Sequence, residues 1–199
     1  MPVDCTGNLT ADILFDCANA PVGGIEQNVI LIAKDDIDTV NTTTDATNRV
    51  LVSNLQLKAG KTGYLLSGVK QSNGKAWELV KKENAPDKFK HTFSGVIFNP
   101  SAANKLQADS LAKGTKYVAV IEQVWKGADS KDAFEVLGLT SGLELMTMTN
   151  NSKENDNMIV FELSSADGYE ETTMPRTLLD VDYAATKTAF NNKFLQAAG

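Results

Sequence analysis

The stretch Lys116-Tyr117-Val118-Ala119-Val120-Ile121-Glu122-Gln123-Val124-Trp125 is apolar on both of its faces. A strand with one wet side alternates polar and apolar residues. A near-continuous β-branched and aliphatic run marks a strand covered from both sides. The run is therefore read as the most buried strand of the chain, and the fold is built outward from it.

On its N-terminal side, Pro100-Ser101 opens a helix over Ala102–Ala112, with Leu106 and Leu111 as a thin apolar stripe and Gly114 as the stop. Before that, Phe89–Phe98 reads as a strand with Phe89, His91 and Phe93 on one face. Gly63–Lys70 and Lys75–Lys81 flank Asn73-Gly74, the dipeptide most typical of a tight type I′ hairpin. Val50–Leu57 and Asn28–Ile32 are further strands. Leu9–Asn19 reads either as a short helix capped by Thr10 or as a strand, ended by Pro21 and Gly23-Gly24. Between the first two confident strands, Thr39–Asn48 is short-chained, polar and rich in Thr, the composition of an exposed loop or solvent-lying hairpin arm.

On the C-terminal side the pattern is a meander over Ala133–Leu139, Leu143–Thr149, Met158–Ser164 and Tyr169–Met174, with Pro175 closing the last strand. Tyr183–Ala198 has Tyr183, Phe190, Phe194 and Ala197 at helical spacing. Short strands separated by turn signals indicate a mainly β chain, an antiparallel β-sandwich or barrel, with one internal helix and a C-terminal amphipathic helix. No internal repeat or linker divides it. The 199 residues read as a single β-rich structural domain with an N-terminal arm (about 1–24) and an exposed loop (about 36–48).

The formal charge is −6, from 25 acidic and 19 basic residues, which argues against a general phosphate-gripping surface. No run approaches the roughly 20 apolar residues of a membrane-spanning helix, and Met1–Thr6 lacks the basic and apolar regions of a secretory signal. A cytosol-type site of synthesis is the expectation. Cys5 and Cys17 read as small reduced side chains, with a disulfide between them the less favoured reading.

Catalytic signals are sparse. His91 is the one histidine, and its spacing with Phe89 and Phe93 favours a hydrogen-bonded structural role. Gly60-Lys61-Thr62 imitates the end of a phosphate-binding loop but lacks the glycine five positions earlier, so it reads as a turn. Asp35, Asp36 and Asp38, and the stretch Asn150–Asn157, read as solvated loops rather than calcium sites. Glu170-Glu171, adjacent on the expected strand, point to opposite faces and cannot form a glycosidase pair. Trp77 and Trp125 fit core or interface packing better than sugar stacking. The expectation is a non-enzymatic building or binding part without a cofactor or metal.

The succession Ala133-Phe134-Glu135-Val136-Leu137-Gly138-Leu139-Thr140-Ser141-Gly142-Leu143-Glu144-Leu145 is followed by an Asn/Asp-rich turn. After it come Met158-Ile159-Val160-Phe161-Glu162-Leu163 and Gly168-Tyr169-Glu170-Glu171-Thr172-Thr173-Met174-Pro175. This C-terminal third resembles the end of tail tube and related virion structural proteins of tailed bacteriophages, particularly those of Bacteroidetes-type hosts. The resemblance implies hexameric rings whose inner strands join into one barrel and which stack through a long loop or hairpin, aided by a terminal arm. It implies a location in the virion, assembled in the bacterial cytoplasm. The partners it implies are further copies of the chain and other virion proteins. It further implies that DNA passes through without specific binding and that no membrane is involved. Thr42, Thr43, Thr44 and Asp45 in the loop, and Phe190 and Phe194 in the C-terminal segment, are the expected inter-subunit contacts. Alternatives are a neck, ring, head-completion or decoration protein, or a non-viral carbohydrate-binding β-sandwich module.

Overall fold

The computed structural model describes residues 9–114 and 116–196. Eleven strands run in the order β1 (Ile25–Ala33), β2 (Thr43–Thr44), β3 (Leu51–Asn54), β4 (Tyr64–Ser67), β5 (Gly74–Val80), β6 (Lys88–Ile97), β7 (Tyr117–Gln123), β8 (Phe134–Leu137), β9 (Glu144–Asn150), β10 (Ile159–Ser164) and β11 (Arg176–Leu178). Helix α1 (Ala102–Lys113) precedes β7, and α2 (Tyr183–Asn191) follows β11. The strands form a seven-stranded sheet, β2-β3-β11-β8-β7-β1-β4, and a four-stranded sheet, β5-β6-β10-β9. The pairing is antiparallel except between β3 and β11, which run parallel. The architecture is mainly β and sandwich-like, as the sequence indicates.

The seven-stranded sheet is the middle of three layers, which accounts for the opening stretch. In β7, Ala119 and Ile121 face the four-stranded sheet and join Val29 and Leu31 of β1, Phe93, Phe161 and Leu163. Val118 and Val120 face the other way, onto a second cluster with Ile30, Ile32, Phe134, Val136 and the aromatic rings of α2. Every residue from Val118 to Glu122 is buried. Neighbours β1 and β8 split their side chains between the same two clusters.

The helices are capped by their own sequence. Ser101 Oγ accepts from the Asn104 amide at 3.2 Å, and Asp182 Oδ1 accepts from the Ala185 amide at 2.8 Å, each satisfying an orphan donor of the first turn. The apolar face of α1 differs from the expected stripe: Ala108 is buried and Leu111 packs on the inter-sheet core, while Leu106 is 60% exposed.

Three further expectations are corrected. Asn73-Gly74 is not a hairpin turn. β4 pairs with β1 in one sheet and β5 with β6 in the other, so the chain changes sheets here. Asn73 is buried and its amide serves long-range bonds, donating to Gln27 O at 3.2 Å and accepting from Val96 N at 3.2 Å. Tyr169–Met174 is not a strand. It contributes a single bridge, Phe89–Glu171, and the last strand starts after Pro175 instead of ending at it. Leu9–Asn19 is neither strand nor α-helix but a stretch without regular structure, bent at Ala11, that ends in a short 3-10 turn, Cys17–Asn19, capped by Asp16. Cys17 is exposed; Cys5, its expected counterpart, lies outside the described residues.

The layer under α2 rests on Phe190, which packs tilted against Phe134 and edge-on against Phe194, with ring centroids 5.2 and 6.5 Å away. Phe190→Ala removes this support and should cost about 3–5 kcal/mol. Leu106→Ala, on an exposed helix face, should stay within about 0.5 kcal/mol. Urea unfolding of both variants beside the parent checks the contrast.

Candidate assembly surfaces and a buried polar hub

The expected contact residues fall into two groups. Thr43 and Thr44 form β2, the short edge strand of the seven-stranded sheet, paired to Asn54 and Val52 of β3. Asp45 closes the tip: its Oδ1 accepts from the amides of Thr47 and Asn48, each at 2.8 Å, an arrangement that lowers its pKa chiefly through the Thr47 hydroxyl. The amide of Gln56 donates to Thr42 Oγ1 at 3.1 Å, anchoring the base. The Thr-rich segment is thus a solvent-lying hairpin arm at the sheet border. Phe190 and Phe194 are different: at 2% and 5% exposure they belong to the chain's own core. As surface contacts they are corrected. The helical periodicity was informative, but its apolar face is answered from within the chain.

The outer borders of the two sheets are β2 and β4, and β5 and β9. β4 leaves Tyr64 and Leu65 exposed. β5 is the longer and more regular border, paired to β6 at all seven positions. Cross-strand partners share a face, so the register Lys75–Phe93, Trp77–His91 and Leu79–Phe89 puts Lys75, Trp77 and Leu79 on the side that faces the other sheet. Lys75 is used there: its ammonium pairs with Glu135 and donates to Gln123 Oε1 at 2.8 Å, joining the two sheets. Further along, that cover runs out, and Trp77 and Leu79 are each 46% exposed. Trp77 rests edge-on against Phe89, centroids 5.8 Å apart.

The N-terminal arm is open in the same sense. Leu9, Ile13, Leu14 and Phe15 are 75–85% exposed. Its base is held by Trp125, whose indole Nε1 donates to Asn19 O at 3.0 Å, and by the Val124 amide, which donates to Gly24 O at 3.2 Å. A concavity of about 390 Å³ lies beneath, lined by Leu14, Phe15, Trp125 and Ala128 among others.

A buried polar hub pins the place where β8 leaves one sheet and β9 enters the other. His91 is buried; its Nδ1 accepts from the Gly138 amide at 3.2 Å, and its Nε2 lies 2.9 Å from Thr173 O. A carbonyl can only accept, so Nε2 carries the proton and the ring is neutral. Burial lowers the His91 pKa, against the opposing charge of Glu171 and with the help of Arg176. Glu171, also buried, accepts from the amides of Thr140 (3.0 Å to Oε2) and Ser141 (2.6 Å to Oε1) in the same turn. Its backbone exchanges two 2.8 Å hydrogen bonds with Phe89. Gly138 (φ +76°) and Gly142 (φ +82°) supply the left-handed corners of this turn. Beside it, Lys82 holds the Glu170 carboxyl down at about 2. Glu170 and Glu171 are thus both buried, each with its own partner, rather than displayed on opposite strand faces.

A second charged cluster joins β7 to α2. Burial alone would raise the Glu122 pKa, but Lys126, Lys187 and the Tyr183 hydroxyl (2.8 Å) bind the carboxylate and hold it down. Of the other motifs, Gly60 (φ +72°) is a turn and Lys61 pairs with Asp36 at 2.9 Å. Asp38 caps its own turn through the amides of Val40 and Asn41. Among the described residues no group of three or more His, Cys, Asp or Glu side chains is placed to hold a metal ion, and no helix is long and apolar enough to cross a membrane.

Compared with family models, curated proteins and solved structures, the chain gives no match in any of the three. Its functional reading therefore rests on its own surfaces.

The hub makes a pH prediction. Folding lowers the proton affinity of His91, so the unfolded chain binds more protons in the window below the ordinary imidazole pKa of about 6.5. The stability contributed by the neutral ring is complete above about pH 6.5 and is lost as the pH falls. Unfolding midpoints measured at about pH 7.5 and 5.5 should drop for the parent. In His91→Asn the midpoint should start lower and change less over that interval.

Proposed function

We propose that the protein is a structural subunit that assembles with copies of itself, and that its role is that of a virion part of the tail tube kind: rings stacked into a conduit for DNA. The observation carrying this reading is the pair of sheet borders that end in exposed large apolar side chains, Tyr64 and Leu65 on β4 and Trp77 and Leu79 on β5. A free border offers unpaired amides and carbonyls to a neighbouring chain, and monomeric proteins usually blunt such borders with charge or cover. Closed rings satisfy all of them by symmetry. The resemblance of the C-terminal third to tail tube proteins supplies the particular assembly, with six copies per ring. The acidic balance of −6 suits a lumen along which phosphate slides without sticking. The β2 hairpin, with its polar exposed tip, is the stacking element in this reading.

At high protein concentration, sedimentation should give a mass several times the 21.4 kDa of the chain, and negative-stain microscopy should show rings or tubes. A single 21.4 kDa species at every concentration would end the proposal. Thr43→Lys with Ala46→Lys, both on exposed positions of the hairpin, should leave rings intact and prevent their stacking. Tubes of normal length from that variant would remove the hairpin from the assembly.

The half-exposed Trp77 favours one second reading, a sugar-binding module. In that case the protein stays monomeric and its tryptophan emission shifts when glycans are titrated in.

A further inference from the structure

We infer that the segment Leu9–Asp16, irregular and bent at Ala11 in the lone chain, straightens into a donor strand that pairs with the open border of β5 in a second copy of the chain. The inference rests on the self-assembly reading and names the two surfaces that meet.

Three observations converge. The first is pattern. In Leu9-Thr10-Ala11-Asp12-Ile13-Leu14-Phe15-Asp16 the apolar residues Leu9, Ala11, Ile13 and Phe15 alternate with Thr10, Asp12 and Asp16, and only Leu14 breaks the order. That is the period of a strand with one dry face. Yet among the described residues no backbone hydrogen bond joins positions 9–15 to the rest of the fold, and the large apolar side chains lie in solvent. The segment has the sequence of a half-buried strand and neither the pairing nor the cover of one.

The second is the receptor. β5 is seven residues of regular, bulge-free border, and the donor segment is eight residues long, so the lengths match. A strand added there shares the pleat of β5. Its apolar row would fall on the face of Trp77 and Leu79, where the seven-stranded sheet no longer gives cover. This is the strand-addition mode of recognition, in which main-chain bonds supply affinity and alternate side chains supply register.

The third is charge. The donor carries Asp12 and Asp16 and no basic residue. The stretch Gly74–Lys90 holds five lysines against three acidic residues; Lys75, Lys81 and Lys82 are paired within the chain to Glu135, Asp87 and Glu170, which leaves Lys88 and Lys90 to meet an acidic row. On the outward face of the receptor, Glu78 stands opposite Lys90 and Val80 opposite Lys88, so the nearest carboxylate to an incoming acidic row already has a lysine across the strand. The four-residue border β4 is shorter and does not combine these features. The base of the arm is fixed at Trp125, so the donor projects as a tethered strand.

The test uses two full-length variants. Ile13→Asp with Phe15→Asp spoils the dry face of the donor and leaves the receptor intact. Leu79→Lys places a charge on the receptor and leaves the donor intact. Both sites are exposed, so circular dichroism and the thermal midpoint should match the parent. Each variant alone should sediment at 21.4 kDa. An equimolar mixture should give a species of twice that mass, because one intact donor then meets one intact receptor. Cysteines introduced as Ile13→Cys in one chain and Leu79→Cys in another should cross-link between chains. If the parent assembles and either variant assembles as the parent does, the strand donation is wrong and the self-assembly reading survives. If the mixture stays at 21.4 kDa, or if no cross-link joins the two chains, the donation is also wrong. A parent that never assembles overturns both.

Discussion

The constraint on which the rest of the molecule depends is that β7 must be kept dry on both faces. Val118 and Val120 on one side, and Ala119 and Ile121 on the other, have no wet side to turn to. One sheet covers one face. The other needs a second layer, which the chain builds from α2 and the residues around Ile37, Leu55 and Leu57. Placing the seven-stranded sheet in the middle has a cost in polar chemistry. Glu122 follows the β7 alternation into the α2 side and is buried there, so it needs Lys126, Lys187 and Tyr183 around it. A buried carboxylate without such partners would be strongly unfavourable.

The chain passes between the two sheets more than once, and each passage meets the same problem: backbone amides leave one ladder before they enter the next. Between β8 and β9 the solution is a set of side-chain acceptors. His91 takes the Gly138 amide, and Glu171 takes those of Thr140 and Ser141. Between β4 and β5 the Asn73 amide plays the equivalent part. These polar groups serve the crossings. The free surface chemistry of the molecule lies at its borders and its N-terminal arm.

This division explains what could be read from the residues. The doubly apolar run of β7 was legible because burial from both sides writes itself as an unbroken local pattern. His91 was legible as buried and hydrogen-bonded because Phe89 and Phe93 share its face. Asn73-Gly74 was misread because turn chemistry is local, whereas the Asn73 amide is engaged by Gln27 and by Val96. Buried Glu170 and Glu171 gave no signal, since the donors to Glu171 are main-chain amides about thirty positions earlier, which every residue possesses. Phe190 and Phe194 declared an apolar face but not whose surface it meets. The exposed arm was the converse: its strand pattern is visible, while its lack of a partner becomes apparent only once the fold is built.

The position of β11 has a temporal consequence. This three-residue strand sits between β3, with which it runs parallel, and β8. Until residues 176–178 leave the ribosome, β3 and its β2 hairpin have no seat beside β8, and α2, which comes later still, cannot cover Phe134. Until then a nascent chain carries a half-built sheet with one bare greasy side. Pairings of such long sequence separation form slowly, and exposed unfinished sheets invite premature association. Because an interior strand of the sheet is the last one made, a chain with this topology can close its sheet only after residues 176–178 have been added.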